Sequence, residues 1–168
     1  MRGSPNGSAT GIDSTRFRSV LSRFATGVVA ITAIDPVSAR PTGLAANSFT
    51  SVSLDPPLVA FCVAHTSTTW PALRTAGKLC VNILSEAQLA VSEQLARKGI
   101  DKFANIGWTE SPGGTPIIDG AHAWIECTVE QEHLAGDHKI IVARVHDLAE
   151  HQDGTPLVFY RSTYGTFT

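Results

Sequence analysis

The chain has 168 residues, with 13 lysines and arginines against 15 aspartates and glutamates, a formal net charge of −2. At ~100–200 residues per domain this is one domain, or a protomer that completes its site with a second copy, and without a basic block it lacks the clustered cations that nucleic-acid binding requires. Hydrophobic residues at 43% and charged residues at 17% exclude a disordered chain and favour much buried or interface surface, while no stretch approaches the ~18–20 consecutive apolar residues of a membrane span.

Residues 1–12 (MRGSPNGSATGI) are rich in Gly, Ser, Asn and Pro and show no hydrophobic period. They are expected to be a disordered tail or an expression leftover, outside a single domain over 13–168. They also lack the apolar run of a secretory signal, so a cytoplasmic location is the expectation. From Asp13 the pattern changes. Phe17, Val20, Leu21 and Phe24 stand at i, i+3, i+4 and i+7 on one helical face, with Asp13 or Ser14 available as N-cap and Thr26-Gly27 as the stop. Residues 28–34 then read as a β-branched strand closed by Asp35-Pro36, and residues 44–54 as a strand of small and hydroxyl residues broken by Asp55-Pro56-Pro57.

Residues 58–64 and 78–84 are apolar runs suited to strands covered on both faces. Between them Thr69-Trp70-Pro71 opens a short helix that Ala76-Gly77 closes, and residues 85–97 form a further helix with Ser85 as cap. Residues 99–120 are mixed, with a turn at Ser111-Pro112-Gly113-Gly114. Strand material returns at 121–133, 139–148, 157–160 and 164–167. About six or seven strands with two or three short helices predict a mainly β fold, a barrel with helical caps, because strands returning by short turns must close or cover their edges. The three cysteines, Cys62, Cys80 and Cys127, form no close pair, and each lies in an apolar run; buried free thiols are expected rather than a disulfide framework or a zinc site.

The common nucleotide, dinucleotide and zinc-hydrolase motifs are absent from the sequence, as is a serine in a nucleophile elbow. The six histidines show no pair at helical ligand spacing, so no metal site is expected. Residues 42–53 carry few large side chains and many hydrogen-bonding ones. Such a strand can admit a flat ligand against its backbone, or simply let another element pack closely. The cluster His65-Thr66-Ser67-Thr68-Thr69 follows a buried-type strand and precedes a helix, a place where amides and hydroxyls hold phosphate or merely cap the helix. Gly136-Asp137-His138 is a turn between two long strands, and its histidine is either functional or solvated surface.

The order and spacing of these segments resemble the flavin reductase family with an FMN-binding split barrel. The resemblance spans residues 17–164. It is carried by Phe24-Ala25-Thr26-Gly27-Val28-Val29 and by Gly43-Leu44-Ala45-Ala46-Asn47-Ser48-Phe49-Thr50-Ser51-Val52-Ser53-Leu54-Asp55-Pro56-Pro57-Leu58-Val59. It continues through residues 67–70, Asp101-Lys102-Phe103, Gly136-Asp137-His138 and Tyr160-Arg161. It implies a six- to seven-stranded split barrel and hydride transfer from NADH, or NADPH, to FMN or FAD. Reduced flavin would then diffuse to a partner flavin-dependent monooxygenase.

By the same resemblance Thr42, Gly43, Leu44, Ala45, Ala46, Asn47 and Ser48 carry the flavin ring and ribityl chain, and Ser51 and Val52 line the other side of the turn. Cys62, Val63, Ala64, His65, Thr66, Ser67 and Thr68 with Trp70 reach the phosphate end. Lys102 and Phe103 come near the flavin, from the opposite subunit of a homodimer. His138 takes a catalytic place beside the nicotinamide, with Arg161 and Tyr164 for the dinucleotide's amide or phosphates. Some relatives carry a cation where this chain has Thr66-Ser67-Thr68, which would leave the phosphate charge to His65, Lys102 and helix-end amides. Two further readings stay open: a split-barrel protein that retains its flavin and uses another acceptor, and a flavin-binding protein without turnover.

Overall fold

Asp13 opens the first helix, α1 (Ser14–Leu21), by accepting a hydrogen bond from the Thr15 amide at 3.1 Å. The computed structural model describes residues 11–167, so residues 1–10 of the expected tail lie outside the described residues. The helix stops earlier than the sequence suggests. The Ser22 hydroxyl donates to the Ser19 carbonyl at 2.8 Å, a local bond that competes with helix continuation, and Thr26–Gly27 forms the short strand β1 instead of a helix stop. Of the predicted apolar face, Phe17, Val20 and Leu21 lie on the helix and Phe24 just past it, and none of the described residues covers them: Phe17 is 54% exposed and Phe24 75%.

The strands that follow are β2 (Val29–Ile34), β3 (Pro41–Ala46), β4 (Thr50–Leu54) and β5 (Pro57–Ala64), then helix α2 (Trp70–Ala76) and β6 (Lys78–Ile83). After a short 3₁₀ turn come α3 (Leu89–Ala96), β7 (Trp108–Glu110), β8 (Pro116–Ile118), β9 (Ala123–Ala135), β10 (His138–Glu150), β11 (Leu157–Tyr160) and β12 (Thr163–Thr166). One seven-stranded antiparallel sheet runs in the order β3-β2-β6-β9-β10-β5-β4. A three-stranded sheet, β1-β11-β12, and the hairpin β7-β8 accompany it. This is the mainly β split barrel with three short helices that the sequence predicts. The predicted strand over 44–54 is divided in two. Residues 47–49 carry the chain from β3 at one edge of the sheet to β4 at the other, and this crossing is the seam of the barrel.

Coiling of the sheet depends on the long β9–β10 hairpin. Its pairing slips between Val142 and Ala143 and again between Val145 and Asp147, and such bulges bend a strand and increase its twist. The hairpin turns at Gly136-Asp137, where Gly136 has φ 63°, the positive angle that a type II′ turn needs at its first central residue.

Strand alternation then decides which side chains fill the interior. On β2, Val29, Ile31 and Ala33 enter the main core with Val59, Phe61 and Val63 of β5, while Ala30 and the preceding Val28 enter a second core with Leu84, Leu95 and Phe103. The apolar run over 28–34 is thus covered on both faces, as continuous runs in buried strands require. Within this core Asn82 is fully buried and satisfied: its Oδ1 accepts from the Ile118 amide at 2.9 Å and its Nδ2 donates to Thr32 Oγ1 at 3.1 Å. Thr32 in turn donates to the Pro116 carbonyl at 2.6 Å, so two buried polar side chains pin β8 to the barrel wall.

The β11–β12 hairpin turns through Arg161 and Ser162, with φ 51° and 60°. Paired positive angles belong to a type I′ turn, for which Asn-Gly is the usual sequence. For residues with a β-carbon, left-handed backbone costs roughly 1–2 kcal/mol each.

Gly43 explains the close packing of β3 on β2. A β-carbon there would lie 2.8 Å from the Ile31 carbonyl oxygen and 3.1 Å from Thr32 Cγ2, and backbone cannot swing aside as a flexible side chain does. Gly43→Ala is expected to lower stability by about 1–3 kcal/mol in urea unfolding; an unchanged midpoint and slope would show that β3 has room to shift.

Candidate active site

The seam opens into a cleft of about 370 Å³, within the ~300–1,000 Å³ typical of small-molecule sites. Its floor is the end of β3 and the crossing loop, Leu44, Ala45, Ala46, Asn47 and Ser48. Because β3 is the last strand of its sheet, with β2 as its one paired neighbour, its outer edge carries backbone donors and acceptors that no strand takes up. Ala45 and Ala46 keep that edge approachable. Ser48 turns its hydroxyl the other way: Oγ accepts from the Cys62 amide at 2.9 Å and donates to the Cys62 carbonyl at 3.3 Å, which staples the crossing loop to β5.

The facing wall follows from alternation on β5. Val59, Phe61 and Val63 point into the core, so Cys62 and Ala64 present the opposite face, and the cleft takes Cys62, Val63 and Ala64 as its wall. Beyond them Thr66, Ser67, Thr68 and Thr69 close one side. Ser67 is also a capping residue, its Oγ accepting from the Trp70 amide at 3.2 Å.

Two lysines reach the cleft from the end of α3. Lys98 Nζ donates to the Thr66 carbonyl at 3.4 Å, and Lys102 Nζ donates to the Leu95 carbonyl at 2.9 Å and also to that of Arg97. Partial burial pushes the Lys102 ammonium down from its ordinary value, as expected when a cation leaves water. The loop that carries Lys102 is held from both sides. Gln94 Nε2 donates to the carbonyls of Lys102 at 3.0 Å and Ala104 at 2.7 Å. Asp101 is ion-paired with Arg40 of the β2–β3 connection and accepts from the Phe103 amide at 3.1 Å.

His138 stands at the start of β10, opposite Ala64 of the cleft wall. Its Nδ1 lies 2.7 Å from Asp137 Oδ1. That hydrogen bond, the histidine's charge and then His65 hold the exposed Asp137 carboxyl below the usual carboxylate range. Asp137 therefore orients the imidazole while remaining ionised at neutral pH.

The cleft thus brings together Leu44, Ala45, Ala46, Asn47, Ser48, Cys62, Val63, Ala64, Thr66, Ser67, Thr68, Lys102 and His138 from the residues named by the sequence. The others lie outside its lining. Thr42 and Gly43 are further back on β3, Gly43 packed against β2. Ser51 and Val52 are exposed on β4 beside a register shift. His65 directs Nε2 to the Gly136 carbonyl at 3.1 Å and so fastens β5 to the β9–β10 turn. Trp70 is buried in the main core, edge-on to Phe61 with ring centres 5.8 Å apart, and Phe103 packs edge-on to Trp108 in the second core. Tyr164 packs on Phe159 and accepts from Ser92 Oγ at 3.1 Å, beyond the floor of the cleft, and Arg161 occupies the β11–β12 turn.

Thr69 of the hydroxyl cluster also lines the cleft, and the sequence reading missed Leu95, Ala96 and Lys98. Lys98 is the consequential one, since it supplies a cation beside the Thr66–Thr69 loop where the loop itself has none. Its one sequence signal is a positive charge just past a helix end, which more often serves the helix dipole alone.

The flavin reductase like domain model matches residues 21–168. The chain belongs to this family. It is 47% identical over 156 residues to a flavin reductase of Pseudomonas putida, covering 93% of this chain and 91% of that protein. It is 46% identical over 156 residues to the reductase subunit HsaB of a flavin-dependent monooxygenase of Rhodococcus jostii, covering 93% of this chain and 79% of the relative. Among solved structures, the NADH:FAD oxidoreductase SgcE6 of Streptomyces globisporus, in complex with NAD and FAD fragments, superposes with a TM-score of 0.86 at 30% identity, covering 93% of each chain. In this family member the crossing loop at the seam, residues 47–49, supplies Asn47 and Ser48 to the cleft floor.

The three thiols separate by environment. Burial pushes Cys80 and Cys127 up to about 12, so both stay protonated and unreactive near neutral pH, whereas Cys62 is half-buried on the cleft wall. One fast-reacting thiol is expected with a chromogenic disulfide reagent in the native protein, and all three after unfolding in denaturant. A native protein with all three reacting at one rate would contradict the burial.

Proposed function

We propose that the cleft at the seam holds the flavin of an NADH:flavin oxidoreductase, and that FMN or FAD is taken up and released as a substrate. The observation that carries this reading is the pairing of a small-residue floor along a free strand edge with two lysines at the cleft's border. The residues present fit the group. Ala45 and Ala46 admit a flat ring close to the backbone, edge amides of β3 can donate to its carbonyl side, and Lys98 and Lys102 can exchange their carbonyl partners for the phosphate. When bound, the flavin supplies the two-electron acceptor for the hydride of NADH or NADPH, leaving reduced flavin and oxidised nicotinamide.

What this chain contributes is position. Fixed donors along the strand edge favour the more negative reduced ring without reorganising. His138, oriented through Asp137, aligns the nicotinamide, and alignment alone removes a large part of the barrier of a bimolecular step. No side chain is required as general acid or base. Reduced flavin then passes by diffusion to a separate flavin-dependent monooxygenase, a role supported by the relative named as a reductase subunit.

The assembly in this reading is a cytoplasmic homodimer. Val52 at 51%, Leu54 at 95%, Leu134 at 80% and Ile140 at 38% exposure lie on β4, β9 and β10, apolar side chains that a second copy would cover. No helix among the described residues is long and apolar enough to cross a membrane, and NADH as reductant suits a cytoplasmic site.

NADH oxidation by the purified protein is expected to be negligible without flavin and to appear on adding FMN or FAD, the faster one being the preferred substrate. A yellow protein indifferent to added flavin would replace this reading with that of a retained prosthetic group. Lys98→Ala and Lys102→Ala should each raise the flavin KM about tenfold, the worth of one charge-assisted hydrogen bond, with kcat nearly unchanged. His138→Ala should impair NADH use far more than flavin binding, and equal loss of both would remove its role. Sedimentation velocity should give a dimer; a fully active monomer would refute the assembly.

A further inference from the structure

Behind the cleft wall, at the end of the barrel, one acid serves two cations from different elements. Glu132 of β9 stands opposite Ile141 of β10, so strand alternation gives its side chain the same face as a residue of the main core. An apolar residue would suit that place. Instead the carboxylate meets Arg74 of α2, Nε to Oε2 at 3.1 Å, and Lys139 of β10, Nζ to Oε1 at 3.9 Å. Among the described residues neither cation has another carboxylate within ion-pair distance.

Trp70 stands one helical turn before Arg74 on the same side of α2. Its indole Nε1 and Glu132 Oε1 are both buried, and neither makes a hydrogen bond to a described group. Burial opposes ionisation of Glu132, yet Arg74, Lys139 and the Trp70 indole outweigh it and hold the carboxyl below the usual carboxylate range. Stability alone does not account for this arrangement, because exchanging a desolvated ion pair for apolar side chains is often neutral or stabilising. What the carboxylate does fix is geometry. The β5–β10 ladder stops at Ala64 and His138, and His65 extends it by two bonds to the β9–β10 turn. Past that point residues 66–69, which close one side of the cleft, run directly into α2 at Trp70. Glu132 therefore grips the helix that follows the hydroxyl loop and, through Lys139, the strand that begins with His138.

We propose that Glu132 is a positioning residue for hydride transfer: through Arg74 and Trp70 on α2 and Lys139 on β10 it sets the spacing between the 66–69 side of the cleft and His138. The inference rests on the reading of the cleft as the place where flavin and nicotinamide meet, and deepens it by naming a residue that touches neither. A flavin held from the loop side and a nicotinamide held from the histidine side each keep their own contacts when the two sides drift apart. Alignment of the reacting atoms is what suffers, and a misplacement of about 1 Å can cost roughly a hundredfold in rate.

Two variants test it. Glu132→Gln removes the charge and keeps the shape, while Glu132→Leu with Arg74→Leu replaces the pair by apolar side chains and should melt no lower than the wild type. For each, the FMN Kd, the thermal midpoint and the single-turnover rate constant of FMN reduction are measured, with protein in excess over FMN and NADH saturating. A first-order rate constant does not depend on how much of the protein is folded, whereas the amplitude does, so partial unfolding cannot imitate the effect. The expected result is a rate constant about tenfold lower in both variants with the FMN Kd within about twofold of the wild type. Arg74→Lys, which keeps the cation on α2, should retain most of the wild-type rate constant. An unchanged rate constant in Glu132→Gln, whatever the midpoint, makes the network a structural one and overturns the proposal. A rise in the FMN Kd as large as the fall in rate also overturns it, because the effect then lies on one side of the cleft alone. Failure of the wild type to reduce FMN with NADH would instead overturn the functional reading beneath it.

Discussion

Leaving the barrel unclosed between β3 and β4 is the constraint on which the remaining architecture turns. A seven-stranded antiparallel sheet of this twist can close on itself, and closure would consume the outer edge of β3. Here the crossing loop departs from β3 to pair β4 with β5, and the Ser48 hydroxyl bridges to the Cys62 backbone where a strand ladder would otherwise run. The seam is thereby fixed in width by two hydrogen bonds from one side chain. The same arrangement forces small residues onto the floor. Gly43 must lack a β-carbon to sit against Ile31 and Thr32, and the small side chains of Ala45 and Ala46 follow it along the free edge.

The cations of the site are governed by a second constraint, the path of the chain from α3 to β7. Lys98 and Lys102 lie in a segment without regular structure, which by itself would hold no fixed position. Gln94 binds two carbonyls of that segment and Arg40 pairs with Asp101, so helix and barrel together set where the two ammonium groups stand. They donate to carbonyls at the end of α3 and to that of Thr66.

Much of this was legible residue by residue. The spacing of Phe17, Val20 and Leu21 marks a helix correctly, because a helix is a local structure and its period is local, although Phe24 falls beyond its end. The runs over 58–64 and 78–84 mark strands covered on both faces for the same reason. The division of 44–54 was not legible. Small and hydroxyl residues satisfy a continuous strand as well as two strands and a loop, and only the pairing partners, β2 on one side and β5 on the other, tell them apart. Trp70 and Phe103, which the resemblance puts near the flavin, have their large rings in the two cores of this protomer, a placement that depends on packing and not on any local signal.

Strand alternation and turn segments by themselves determined the mainly β fold class, and the order of small-residue, hydroxyl and turn segments carried the resemblance to the family, while the small-residue stretch alone left a ligand floor and close packing both open. These are properties carried by short stretches whose periodicity and steric size act within a few residues. Tertiary structure alone decided which way Cys62 faces, that Lys98 reaches the Thr66 carbonyl, and that Arg18, Arg23 and Arg161 share a basin. Arg18 and Arg161 are separated by nearly the whole domain in sequence. Their meeting depends on the Arg161 amide reaching the Ser22 carbonyl across the β11–β12 turn, a contact that exists only once the small sheet has folded back onto α1.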